Sequence, residues 1–430
     1  YIRNKKISLV FLNNIKKAFR LKCFFILLVE SKEKMLENIH RYIFTFRGDI
    51  MKNDKFLGNG QNLEVKKERL YYLDYLKLFL ITIVVSHHSL EAYMPKSEWQ
   101  YKDIMQSTWL ENIHVINMTF LMGIFFFISG YLVVNSIKKR SAKDFILSKA
   151  KYLLSPIILI GAVIVPLQNY IVGRAMNKIN SSFFDYYIKI YWGTGIMTYE
   201  HGWYVLSLFL FSILYLVFKS VIGEKAIKSI GRLSFKKLFI TSIVIAVCTC
   251  VMHMYYSFDQ WIVVLGFIGL EPVHYPQYII LFITGAIAYE NNWLDQITDK
   301  MGWTALSFGL AVVAFICCKD LFNIEIINKI YASYYIYEAF VAIAICIGLL
   351  FIFKKYFNGE NKVFVELSKC TFGVYVWHIF FVFIFQLLLG QCELTAILKY
   401  LIVTILSIIT TFTFVYLKKK LINRRERAAS

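Results

Sequence analysis

A chain of 430 residues that is 58% hydrophobic, with only 18% charged residues and five prolines, does not fit a soluble globule, in which about 25% of residues are charged. Its net charge of +20 does not point to nucleic acid, because the lysines and arginines stand in short blocks between apolar runs, a pattern of membrane topology and anionic-lipid contact. An all-α, polytopic transmembrane helix bundle is expected, with the lipid bilayer as a partner and no nucleic acid.

The chain opens on Tyr1, and Met35 and Met51 both precede the first strong span, which leaves room for untranslated upstream sequence over 1–34. The apolar piece Cys23–Val29 is too short to span and lacks a small-residue cleavage site, so no signal peptide is read. Residues 1–69 are taken as a polar cytoplasmic segment, 70–418 as the membrane domain and 419–430 as a basic cytoplasmic tail. Ten runs approach the length that a hydrocarbon core of about 30 Å requires, at 73–93, 114–136, 152–173, 203–222, 238–256, 275–290, 303–319, 333–353, 371–390 and 397–417. The sixth is short, and Trp261–Leu270 before it reads as a re-entrant or interfacial piece. With the amino terminus inside, the inner connections hold 23 Lys and Arg and the outer ones 6, which predicts both termini in the cytoplasm.

The first span carries Lys77 and His88. Eleven steps of 100° amount to three turns plus roughly 20°, so both lie on one face, with His88 about 16 Å further along; His87 points about 80° away. Ionisable residues at such depth are functional candidates. Next come Ser129, Gly130 and Tyr131 in FFFISGY, which also suit close helix packing. Glu200, His201, Trp203 and Tyr204 follow where the chain re-enters the membrane, and an interfacial aromatic belt explains only the last two. Tyr375 and His378 stand at i and i+3 in the ninth span, where a lone histidine is equally a packed polar contact or a reactive group. The eight cysteines form no CxxC pair and indicate neither a disulfide framework nor a zinc site; no metal is expected.

In this order along the chain, the segment from Arg69 to Leu417 resembles the acyltransferase-3 family, and within it glucan succinyltransferases of the glucans biosynthesis protein C type and glycan O-acetyltransferases. The basic residue, ten spacers and histidine of the family fall on Lys77 and His88. The FFxxSGY motif falls on Phe126, Phe127, Ser129, Gly130 and Tyr131, and the His-x-Trp-Phe motif on His201 and Trp203, with Tyr204 for phenylalanine. Pro276, Gln277 and Tyr278 match a later span, and Ser368, Phe372, Gly373, Tyr375 and His378 match the last motif. Two departures stand out. Lysine replaces the usual arginine at Lys77, losing a fork that grips phosphate in two places, and Lys149 and Tyr152, with Lys151 adjacent, stand where two arginines are common.

The resemblance implies a bacterial inner-membrane O-acyltransferase that moves acetyl or succinyl from cytoplasmic acyl-CoA, as co-substrate, to a hydroxyl of an extracytoplasmic carbohydrate acceptor. Lys77, Lys149 and Lys151 would meet the coenzyme phosphates, and His88 would be the general base or itself carry the acyl group. Ser129, Tyr131, His201, Tyr375 and His378 would orient the base, stabilise the oxyanion or place the acceptor. A second transfer outside the membrane would need a separate extracytoplasmic transferase. A transporter or flippase without covalent chemistry is the alternative, and a sensor or assembly partner with structural histidines is a third reading.

Overall fold

The computed structural model describes residues 69–194, 200–257, 260–264, 268–318 and 334–429, so the expectations for 1–68 lie outside the described residues. Residues 69–421 form one compact unit. Its helices are α1 (Tyr71–Leu90), α2 (Trp109–Lys138), α3 (Ala142–Leu159), α4 (Val165–Ala175), α5 (Trp203–Ile222), α6 (Phe235–His253), α7 (Tyr275–Glu290), α8 (Asp299–Cys318), α9 (Tyr334–Tyr356), α10 (Thr371–Leu389) and α11 (Ala396–Ala429). The described residues are all-α apart from one antiparallel strand pair, β1 (Ile262–Val264) with β2 (Ile268–Leu270), termed the hairpin. Among the described residues, nine helical stretches are long and apolar enough to cross a membrane, which makes this a multi-pass membrane protein.

The sixth expected span is the one missing from those nine. It forms α7 with the expected bounds, but sixteen residues rise only about 24 Å, less than a hydrocarbon core of about 30 Å. Its most extensive packing is against α2. A Cβ at Gly130 would stand 1.9 Å from the Phe282 carbonyl oxygen, and one at Gly285 2.0 Å from that of Phe127, so these two glycines let the backbones touch. Gly130 of FFFISGY is therefore a packing residue. Tyr131 beside it packs edge-on to Tyr289, with ring centroids 5.2 Å apart. Trp261–Leu270 supplies the hairpin rather than a crossing.

The third span starts ten residues earlier than its apolar run, at Ala142. Ser141 caps the helix by accepting from the Asp144 amide at 3.1 Å, while its hydroxyl donates to the Asp144 carboxylate at 2.6 Å. Pro156 interrupts α3, and a wide π turn over Ile160–Ile164 leads into α4. Carbonyls in that turn are met by tyrosines: Tyr187 Oη donates to Ala162 O at 2.9 Å and Tyr191 Oη to Gly161 O at 2.5 Å. At the other end of the chain, α11 continues through the basic residues that read as a tail, as far as Ala429.

α1 lies inside the bundle, packed by α2, α9, α10 and the short helix Lys362–Ser368. Leu76, Leu80 and Val85 are fully buried along it. After its last turn, the connection to α2 folds back and is pinned by a buried ion pair. Lys399 Nζ of α11 donates to both Asp103 carboxylate oxygens at 2.9 Å. Burial, then the Asp103 carboxylate, push the Tyr101 hydroxyl up to about 12, which keeps it a donor to Asp103 Oδ2 at 3.3 Å.

Candidate active site

A cavity of about 1470 Å³ runs beside α1, its wall including Lys77 near one end of the helix and Glu91 beyond the other. Pockets for small ligands are commonly about 300–1,000 Å³, so this volume suits more than one molecule or a long one. Lys77, Lys149 and Tyr152 line it, as do Ser129 and Tyr375, and so do His88, His201, His378, Trp99 and Glu200. Lys77 and His88 thus share a face, as their spacing requires. Lys151 is exposed and is not part of the wall, because it stands two residues, about 200°, from Lys149 on α3. His87 also lines the cavity despite its different helix face, since the end of α1 is enclosed by α2 as well.

The Lys77 end is charged and half-buried. Lys77 Nζ lies 2.9 Å from Asp74 Oδ1, and Arg69 lies 2.8 Å from Asp74 Oδ2. Asp74 thus tethers two cations, of which Lys77 lines the cavity. Lys149 Nζ sits 5.8 Å from the Phe145 ring centroid, and Tyr152 stacks on Phe372 at 5.3 Å.

The His88 end gathers imidazoles from three segments. The His88 ring centroid is 5.2 Å from that of His378, and His201 is 5.3 Å from His378. His378 is fully buried and its Nδ1 lies 2.7 Å from the Tyr375 carbonyl oxygen, one turn back on α10. A carbonyl can only accept, so Nδ1 carries the proton and the lone pair is on Nε2, a buried atom with no hydrogen-bond partner. By the same reasoning His201 Nε2 donates to Val376 O at 3.2 Å, leaving the lone pair on its unpartnered Nδ1. The Tyr375 hydroxyl donates to the His201 carbonyl oxygen, and Ser129 Oγ and Tyr204 Oη hydrogen-bond each other at 3.1 Å. Buried acceptors without partners are costly, and here one on His378 stands beside His88 and another on His201 beside His378, all at the cavity wall.

Three residues that sequence reasoning missed hold this end together. Trp99, from the folded-back connection, stacks between His88 at 5.5 Å and Phe383 at 4.6 Å. Its Nε1 donates to Gln386 Oε1 at 2.9 Å, and Gln386 Nε2 donates to the carbonyls of His88 and Ser89 at 3.2 and 3.3 Å. Glu200, noted only as the neighbour of His201, has a left-handed backbone with φ 35° and a carboxylate that accepts from Gln100 at 2.9 Å and Gln168 at 2.5 Å. Two rings and an amide fix the backbone and one face of His88, leaving the imidazole orientation to packing rather than to a carboxylate. Chemically, the arrangement offers cations at one end and neutral imidazole acceptors about 16 Å along the helix.

A family model described as an acyltransferase domain matches residues 70–416. The chain belongs to the acyltransferase-3 family. Comparison with curated proteins and with solved structures yields no match. Family membership makes the protein a membrane acyltransferase, and the matched region contains every residue of the cavity wall.

Proposed function

We propose that this acyltransferase moves an acetyl or succinyl group from acyl-CoA at the Lys77 end of the cavity to a hydroxyl of a glycan at the His88 end. The observation that carries this reading is the single cavity joining a cationic end to a cluster of unpartnered imidazole acceptors. With α7 counted as a tenth crossing, the excess of basic residues in alternate connections favours the Lys77 end, and both termini, on the cytoplasmic side. Coenzyme A phosphates would stay at Lys77 and Lys149 while the pantetheine arm follows the cavity, bringing the thioester near His88. Lys151, outside the wall, would act only through the local positive field. The protein is then a multi-pass enzyme of a bacterial plasma membrane, modifying polysaccharide of the cell envelope.

In the transfer, the acceptor oxygen attacks the thioester carbonyl as His88 accepts the hydroxyl proton, a contribution of roughly 10² to 10⁴ in rate. The tetrahedral intermediate collapses with loss of the coenzyme A thiolate, which takes the proton from the imidazolium. Ser129 and Tyr204 stand as donors for the oxyanion or the acceptor. His378, held through Nδ1 by Tyr375, and His201, held by Val376, present fixed lone pairs beside the base. Passage of the acyl group through an acyl-imidazole on His88 would use the same geometry.

The test uses right-side-out and inverted vesicles containing the protein or its His88→Ala form, given radiolabelled acetyl- and succinyl-CoA with the native envelope glycan present. Label in the glycan is expected only with His88 intact and only when donor reaches the cytoplasmic face. No label from either donor, with correctly inserted protein, would overturn the reading and favour a transporter, for which the same cavity is a path without chemistry.

A further inference from the structure

A second cluster of donors meets the cavity wall beside the His88, His201 and His378 group, and the mechanism above leaves most of it unused. His87 and Glu91 stand four residues apart where α1 passes into a short 3-10 turn, a spacing that stacks side chains on one face. His87 Nε2 lies 3.5 Å from Glu91 Oε1. His88 completes a group in which one donor atom from each of His87, His88 and Glu91 lies within 4.8 Å of the other two. From α2, His114 Nε2 approaches the same Glu91 oxygen at 3.8 Å, its ring stacked on His87 with centroids 4.8 Å apart.

Tetrahedral zinc, with bonds of about 2.0–2.1 Å to nitrogen and oxygen, holds its donors roughly 3.3 Å from one another. The His87 and His114 spacings to Glu91 are already near that value, and the other spacings among His87, His88 and Glu91, at most 4.8 Å, need to close by up to about 1.5 Å. Two further observations point to a ligand. Nδ1 of His88 is buried without a hydrogen-bond partner, and His87, which turns Nε2 toward Glu91, is only 8% exposed. The carboxylate is also oriented, because Ser97 Oγ donates to Glu91 Oε2 at 2.8 Å, the kind of outer contact that fixes a metal-binding carboxylate. Three imidazoles with one carboxylate favour zinc and its neighbours over magnesium or calcium, which prefer oxygen alone. All four side chains line the cavity, which gives an ion a way in.

We propose that His87, His88 and Glu91, with His114 as fourth donor, bind a zinc-class dication, and that occupancy silences acyl transfer. The second clause rests on the acyl-transfer reading. A neutral imidazole has a single lone pair available as acceptor, and a metal that takes it from His88 leaves nothing to receive the hydroxyl proton. The site is therefore a brake worked by metal at the His88 end of the cavity.

The test begins with metal retention by purified protein in detergent, carrying no polyhistidine tag, stripped with EDTA, equilibrated with micromolar zinc and desalted. About one zinc per chain is expected for the wild type and none for the double variant His87→Ala, Glu91→Gln, checked for monodispersity. No retention by the wild type, or equal retention by the variant, would overturn the site. Where the double variant fails to insert, cobalt added to the stripped wild type decides: intense visible bands of a tetrahedral nitrogen-bound ion support the site, and the spectrum of hydrated cobalt overturns it. In the vesicle assay, zinc should lower wild-type label transfer at least tenfold, with recovery on EDTA. Retained zinc with unchanged transfer would overturn the brake. An EDTA-treated wild type that retains zinc when refilled but never transfers label would fail the acyl-transfer reading and leave the metal site standing.

Discussion

The two ends of the cavity are built from the same helix and differ in almost every physical respect. At the Lys77 end, cations are partly solvated and already share Asp74, so each ion pair is screened and individually weak. At the His88 end, His201 and His378 are buried, the half-buried His88 stacks on Trp99, and amide and carbonyl contacts hold the group. The lesson is one of tolerance. A partly solvated, shared ion pair at the first end should tolerate a change of cation, whereas the second end depends on stacked and hydrogen-bonded geometry that a truncation disturbs.

The sharpest way to break this contrast is at His88. His88→Ala should lower acyl transfer by about 10² to 10⁴ at unchanged abundance in the membrane, read as label per inserted protein. Next is the pin that folds the connection back under Trp99. Asp103→Ala leaves Lys399 buried without its partner and should cost about 3–5 kcal/mol, seen as a lower unfolding midpoint in detergent. Replacing both partners together, Asp103→Leu with Lys399→Met, should restore much of that loss; a double variant as unstable as the single one would remove the pin from the account.

Smaller effects separate the ends further. His378→Ala should lower the rate by about tenfold without abolishing it, since general-acid or base assistance is shared with His88; wild-type activity would assign His378 to packing. Lys77→Ala should raise the half-saturating acyl-CoA concentration several-fold while leaving acceptor dependence unchanged, and an unaltered donor titration would count against its phosphate role. The smallest effect is expected far from both ends. Hydrogen bonds from Lys228 and Lys219 pull the Glu224 carboxyl down to about 2. Its contribution is thus present above the ordinary carboxylate range and lost as pH falls through about 2. Because Glu224 is exposed, Glu224→Gln at neutral pH should move the unfolding midpoint barely at all.

Much of this contrast could be read without coordinates. The helix period alone puts Lys77 and His88 on one track, and the structure keeps them on one cavity wall. Tyr375 and His378, three residues apart on α10, also meet as expected, though through the Tyr375 carbonyl rather than its hydroxyl. Lys151 stands outside the wall that Lys149 lines, because nearness in sequence is not nearness in space on a helix. Trp99 and Gln386 were invisible: their contact joins a connecting segment to a helix 287 residues away, and no periodicity encodes that distance. The same holds for His114, whose approach to Glu91 depends on how α1 and α2 pack.

The sequence by itself determined the class, the apolar spans, the sign of the charge at each connection and the motifs that place the chain in its family. These follow from hydrophobicity, length and local helical geometry, which are properties of short stretches. Only the tertiary structure decided that α7 is short and held to α2 through Gly130 and Gly285, and that Trp261–Leu270 is a hairpin. It also decided that His88, His201 and His378 converge and that His87, Glu91 and His114 form a neighbouring cluster. The reason is that convergence depends on packing between segments far apart in the chain, where a backbone contact or one buried ion pair selects among arrangements that local hydrophobicity leaves equal.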